Sequence, residues 1–209
     1  MPKPLPDHIR AATGDDPDAV RAYLLDATHR VVVTQGLAAA STRHIATEAG
    51  VAAGTLYNYF DDRVDLVAAA ILRRAHVLAQ PIAGLTARVG KYTVKTNLLW
   101  FARRADGILD ELVPLVAATF AEPELLATLR AQMANDDPAH IATVVVVNYL
   151  RAEQNLGRIS SNSDPDAAAG TIVSLCHDRA FQRFLSGQPP SSRDGIARQI
   201  DFIANALEP

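Results

Sequence analysis

The segment GVAAGTLYNYFDD, residues Gly50 to Asp62, sets two tyrosines within three residues of one another in a helical pattern. On a wheel advancing by about 100° per residue, Leu56, Phe60 and Ala53 fall together and form the inward stripe. Gly54 and Asn58 fall opposite, flanked by Thr55, Tyr57 and Tyr59. One face is therefore small and apolar, while the other offers hydroxyls and an amide. A lone exposed tyrosine is most simply a ring at the rim of a core with its hydroxyl in water. The flanking segments have to decide whether this face meets a partner.

Ser41 is a good N-cap for a short helix carrying Ile45, Ala46 and Ala49, and Gly50 stops it. Further upstream, Asp16-Pro17 pairs an N-cap with proline at the first helical position. Val20, Leu24, Ala27 and Val31 then recur at helical spacing until Gly36. The β-branched run Val31–Thr34 is poor helix material by propensity, but burial overrides propensity. Downstream, Asp62 can cap a fourth helix, with Asp65 three residues on as an acidic variant of the capping box. Leu66, Ala69, Ala70 and Leu72 continue that helix to about Pro81.

Two short helices joined by a glycine turn and braced by a preceding helix make a helix-turn-helix. Its second helix enters the major groove and its first crosses the backbone. In that setting Gly54 permits close approach and Asn58 offers its amide to a base edge. Thr55, Tyr57 and Tyr59 reach phosphates or thymine methyls. Helix N-termini near Ser41 and Ala52 add partial positive charge, and Arg43 and Arg63 supply full charges at the two margins.

Overall charge does not announce a polyanion binder. Residues 1–65 hold six basic groups against nine acidic ones, and the whole chain carries −3. Recognition must then rest on local arrangement. With 209 residues, 49% of them apolar and 21% charged, the chain can bury a core without disulfides. The one cysteine, Cys176, lies in an apolar run and reads as a buried, inert thiol suited to a reducing cytoplasm. No uninterrupted apolar run approaches a membrane span. Residues 1–16, charged and proline-rich, read as a loose arm rather than a signal peptide. His8, His29, His44, His76, His140 and His177 are scattered, with no paired metal-ligand spacing, phosphate-cradling loop or nucleophile motif. No catalytic residue, metal or cofactor is expected, and no enzyme.

The remainder reads as helical too. Thr93 to about Ala121 is one segment with breaks expected at Gly107 and Pro114. Further helices start at Pro123, at Pro138 (stopping at Gly157), and at Pro165, which is capped by Asp164 and ends at Gly187. A last helix runs from about Ser192 to Leu207. Val144–Val147 is strand-like in composition but has helical flanks. Apolar residues cover well over half the helix from Pro165, more than the single stripe a surface helix needs. The surplus predicts a second copy packed beside the final helix, through Ile172, Cys176, Ala180, Phe184, Ile196, Ile200 and Ile203. Trp100, Phe101, Phe120, Met133 and Tyr149 are core groups or the lining of a cavity. His177, with Asp178 and Arg179, marks either its polar end or the seam between subunits.

The run TRHIATEAGVAAGTLYNYFDDRVDL, residues 42–66, resembles the DNA-binding signature of TetR-type transcriptional regulators. The pieces that carry the likeness are IA..AGV, GTLY.YF and a basic residue three places after the phenylalanine. It covers about residues 18–70; the later helices are similar in length and apolar pattern. The resemblance implies an all-α fold of nine or ten helices: a helix-turn-helix domain over 17–64 and a ligand-binding and dimerisation domain over 65–209. It implies a homodimer through the last two helices, a palindromic double-stranded operator, and repression relieved by a small, largely apolar effector. By motif position it puts DNA contacts at Thr42, Arg43, Ala53, Gly54, Thr55, Tyr57, Asn58, Tyr59 and Arg63. The chain departs from the family where Ala52 and Ala53 replace a frequent serine and lysine, where His44 replaces a frequent acid, and where Asp61-Asp62 lie near the phosphate path. A helical ligand-binding or scaffold protein with weak or lost DNA binding is the alternative.

Overall fold

A computed structural model describes residues 6, 10, 11, 13, 14, 16–134, 137–187 and 193–209. Most of the arm expected over 1–16 therefore lies outside the described residues, as does Ser192. Nine α-helices and no strand occur among the described residues: α1 Pro17–Gln35, α2 Thr42–Ala49, α3 Ala53–Leu56, α4 Arg63–Ala79, α5 Val94–Ala118, α6 Pro123–Met133, α7 Pro138–Asn155, α8 Pro165–Ser186 and α9 Arg193–Asn205. Proline opens α1, α6, α7 and α8, where its missing N–H costs nothing and its fixed φ suits the first turn. Val144–Val147 lies within α7, with Val146 and Val147 buried. Short 3₁₀ turns occupy Leu37–Ala39, Gln80–Arg88 and Thr119–Ala121.

The chain forms two compact units. One comprises Met1–Ala75 with Leu115–Asp136; the other comprises His76–Pro114 with Asp137–Pro209. This differs from a single cut after residue 64, because 115–136 belongs with the N-terminal helices. The expected breaks at Gly107 and Pro114 do not occur, and α5 runs through both. An internal proline costs about 3 kcal/mol. Burial of Leu98, Phe101, Ala102 and Ala105 before it and of Leu115 after it outweighs that cost.

In the first unit the predicted stripe of α1 is the core: Val20, Leu24, Ala27 and Val31 are buried with Ile45, Ala46 and Ala49 of α2. By length and composition alone, the stretch Arg63–Arg88 also qualifies as a membrane span. Its residues Leu66 to Ile71, however, are buried in the first unit's protein core.

The second unit packs α5, α7, α8 and α9 around Leu98, Phe101, Val146, Tyr149, Ile172, Cys176, Ile196 and Ile200. Buried Asn97 donates to the carbonyls of Arg88 (3.2 Å) and Lys91 (2.7 Å) and to the Tyr149 hydroxyl (3.0 Å), so no amide proton is stranded. Burial pushes the Tyr149 hydroxyl well above its ordinary pKa and the Cys176 thiol up to about 12.

Gly50 ends α2 at φ 68°, ψ 30°, the left-handed region, and its N–H closes the helix onto the Ala46 and Thr47 carbonyls. A side chain there is strained. Gly50→Ala is expected to destabilise the protein by about 1–2 kcal/mol, read as a shift in urea midpoint at constant m-value.

Candidate nucleic-acid interface

Three local devices aim the GVAAGTLYNYF segment. Ser41 accepts the His44 N–H (3.3 Å) and starts α2, Gly50 turns the chain, and Leu56 and Phe60, at 1% and 3% exposure, anchor the stretch beyond the turn. The anchored piece is shorter than the continuous helix that the wheel over Ala53 to Phe60 supposes. It is one α-turn, Ala53–Leu56, continued by turn bonds from the Asn58 N–H to the Thr55 carbonyl (3.2 Å) and from the Tyr59 and Phe60 N–H groups to Leu56 (both 3.0 Å).

The face it shows is rotated from the one the wheel predicts. Ala53, Gly54, Tyr57 and Asn58 are exposed, Tyr57 at 56%, while Thr55 is buried at 8% and Tyr59 is half-buried. Thr55 is thus a correction: the residue is buried rather than exposed beside Tyr57 and Asn58. Ala53 moves the other way, out of the expected inward stripe. The reason is the relative apolar area of the competing side chains. A methyl group contributes little to fixing a helix face, and the Tyr59 ring outweighs it.

Around this face, Thr42 is half-buried in the first turn of α2 and Arg43 is exposed. Among the described residues Arg43 has no acidic partner within ion-pair distance. Arg30 is paired with Glu48 (2.7 Å) and Arg73 with Asp26 (3.1 Å), and Arg21 lies over the Phe60 ring at 4.5 Å. Arg63 is the second correction. Its guanidinium is engaged by Glu122 and by the Ala40 and Leu37 carbonyls and is not held out for a phosphate. Glu122 lies 59 residues away, so nothing near Arg63 in the sequence announced it. The Asp62 cap is present: its carboxylate accepts the Asp65 N–H (2.8 Å), and Asp65 reaches back to the Asp61 N–H (3.3 Å). Asp61 itself stays exposed.

The residues proposed for a ligand cavity divide between the two compact units. Phe120 and Met133 belong to the first unit, and Phe120 is 59% exposed. In the second unit Phe101 and Tyr149 are fully packed in the core, and the Trp100 ring is flanked by the Arg88 and Arg104 guanidinium groups, at 4.9 and 3.8 Å. His177 is half-buried, and burial lowers its pKa against the pull of Asp137. Arg179 reaches Gln199 of α9 (3.2 Å), with its Nε 3.9 Å from Asp106 of α5, which favours a structural role for the His177–Arg179 run.

The expected seam needs correction as well. Ile172, Cys176, Ala180, Ile196 and Ile200 are buried inside their own chain, where no second copy can reach them, and Ile203 is half-buried. Phe184 alone of that set is exposed, together with Phe181, Leu185 and Phe202. Phe202 was readable in principle: it is a large aromatic on the polar side of the helix striped by Ile196, Ile200 and Ile203.

Comparisons with known proteins agree with this architecture. Residues 24–70 match the family described as "Bacterial regulatory proteins, tetR family". The chain is 27% identical over 190 residues to the HTH-type transcriptional regulator AlkX of Mycobacterium tuberculosis (strain ATCC 25618 / H37Rv), covering 90% of this chain and 85% of that protein. Among solved structures it resembles a TetR-family transcriptional regulator from Mesorhizobium loti MAFF303099, with TM-score 0.75 and 21% identity over 92% of this chain and 96% of that one. It also resembles FadR from Bacillus subtilis in complex with stearoyl-CoA, with TM-score 0.61 and 18% identity over 90% and 97%. With the glycine-turned helix pair and its exposed face in place, residues 24–70 carry the DNA-binding domain of the tetR family of bacterial regulatory proteins, and the described residues as a whole share the all-helical fold of such regulators.

Proposed function

We propose that this chain is a dimeric cytoplasmic repressor whose Ala53–Asn58 face reads the major groove of a palindromic operator. The carrying observation is Gly54. It sits in a helical turn without a positive φ, and a Cβ built on it meets nothing within 4 Å. Neither backbone geometry nor internal packing needs a glycine there, and glycine costs about 1 kcal/mol against alanine in a helix. A requirement from outside the chain, the close approach of a duplex, accounts for it. Asn58 beside it offers an amide to adenine, Tyr57 supplies an aromatic edge and hydroxyl, and Thr42, Arg43 and the N-terminus of α2 face phosphate.

The dimer reading is supported by the exposed aromatic surface of α8 and α9. Phe181 and Phe184 lie with ring centroids 6.5 Å apart; Leu185 is 64% and Phe202 78% exposed. Large apolar groups left in water favour an interface, and a two-fold pairing through them gives two reading heads for two half-sites. The effector reading is supported by the apolar second unit and by two structural relatives of known complex: FadR of Bacillus subtilis with stearoyl-CoA, and the multidrug binding protein EbrR with imidazole. A small, largely apolar molecule is the class that fits.

Three outcomes test this. Gly54→Ala is expected to raise stability by about 0.5–1 kcal/mol while weakening binding to a duplex selected by the wild type; unchanged binding would remove the argument from Gly54. Asn58→Ala should lose about 1–3 kcal/mol of discrimination at one base pair per half-site, seen as a flattened preference there in titrations against operator variants. Phe202→Asp should shift the protein toward monomer in sedimentation velocity and weaken operator binding in parallel.

A further inference from the structure

Arg63 lies inside a cage of acceptors. Its Nε–H donates to the Ala40 carbonyl (2.7 Å) and its Nη2 to the Leu37 carbonyl (3.0 Å) and Glu122 Oε1 (3.3 Å), while Nη1 donates to Glu122 Oε2 (2.7 Å). Most of the guanidinium's N–H groups are thereby engaged, and its side chain is only 27% exposed. Ala40 immediately precedes Ser41, the N-cap of α2, so the fork grips the chain where the helix-turn-helix begins. Glu122 stands just before α6, and at the other end of α6 Gln132 donates to Asp65 (3.0 Å). The first turn of α4 is thus stitched to both ends of α6, within one compact unit.

We propose that Arg63 is a positioning residue rather than a phosphate contact, and that Glu122 is its holder. The fork fixes residues 37–40, and so the entry of α2, against the start of α4. Glu122 keeps the fork in that orientation and cancels its charge. This rests on the DNA-binding reading of α3 and adds to it a control point 59 residues downstream of Arg63. To bind phosphate instead, the guanidinium would have to abandon a carboxylate and give up its bonds to the Ala40 and Leu37 carbonyls, a costly exchange. Lysine cannot reproduce the planar fork, so charge and geometry are separable by substitution.

The experiment uses Glu122→Gln and Arg63→Lys in the full-length chain, titrated by fluorescence anisotropy against a labelled duplex selected by the wild type, over a series of salt concentrations. The proposal expects Glu122→Gln to weaken binding about three- to tenfold with the wild-type salt slope, and Arg63→Lys to fall at least as far although it keeps the charge. Tighter binding and a steeper slope in Glu122→Gln, by about one unit per phosphate gained, would overturn it, because Arg63 would then be a phosphate contact that Glu122 masks. Unchanged binding in Glu122→Gln, or wild-type binding by Arg63→Lys, would overturn it as well. Amide hydrogen exchange of residues 37–42 in the free protein gives a reading that does not involve DNA. Faster exchange in Glu122→Gln supports the brace and unchanged exchange refutes it, even if the wild type were found to bind no duplex.

Discussion

The structure of the candidate interface depends on one constraint: a left-handed turn at Gly50 and, within ten residues of it, two anchors, Leu56 and Phe60, sunk in the core. The turn sets the direction in which the chain leaves α2. The anchors set which side of the next few residues is inside. With both ends of the segment fixed, a piece too short to be stable as an isolated helix is held in one orientation, and its outer residues are presented at a defined angle. Neither device suffices alone. Without the anchors the segment would be a loop, and without the turn it would continue α2 and point elsewhere.

That placement explains how a unit with an acidic balance can still suit a polyanion. Arg30, Arg63 and Arg73 pair with Glu48, Glu122 and Asp26, so these six charges cancel locally and contribute little outward field, while the acidic excess itself is unchanged. Facing outward are the capped start of α2, Arg43, and Asn58 and Tyr57, with Asp61 the exposed acid beside them. Attraction through helix N-termini and single charges is modest and short-ranged. Such a surface favours a duplex that fits it closely over any duplex nearby, and Gly54 keeps that fit free of a methyl group in the way.

Much of this was legible in the sequence because caps and stripes are local. Asp16, Ser41, Asp62 and Asp164 each accept the backbone N–H groups expected of an N-cap, and the stripe Val20–Leu24–Ala27–Val31 is buried throughout. What failed depended on competition or on distance. Thr55 and Ala53 exchange sides because the face of so short a piece is set by its largest side chains, and Tyr59 outweighs alanine. The engagement of Arg63 is not legible, because its acidic partner Glu122 is remote in sequence. Periodicity shows which residues of α8 and α9 are apolar, but it does not show whether a neighbour in the same chain or a second copy covers them. Ile172, Cys176, Ile196 and Ile200 are accordingly covered within their own chain.

The same helix shows how that division is enforced. On α8 the buried residues Ile172, Val173, Cys176 and Ala180 continue directly into the exposed Phe181, Phe184 and Leu185, so hydrophobicity alone does not determine which set turns inward. Arg183 does. It is buried among them and donates to Asp110 at 2.6 and 2.8 Å and to Asp106 at 3.4 Å, both on α5. Burial is expensive for these charges, and it holds the Asp106 carboxyl above its ordinary pKa even with Arg183 and Arg179 beside it. A pair of this kind adds little net stability over apolar substitutes. It penalises every rotation of α8 that would strand the guanidinium, and the one rotation it permits leaves Phe181 and Phe184 facing out. Buried Arg183, held by the partly exposed Asp106 and Asp110, therefore orients the exposed phenylalanines of α8.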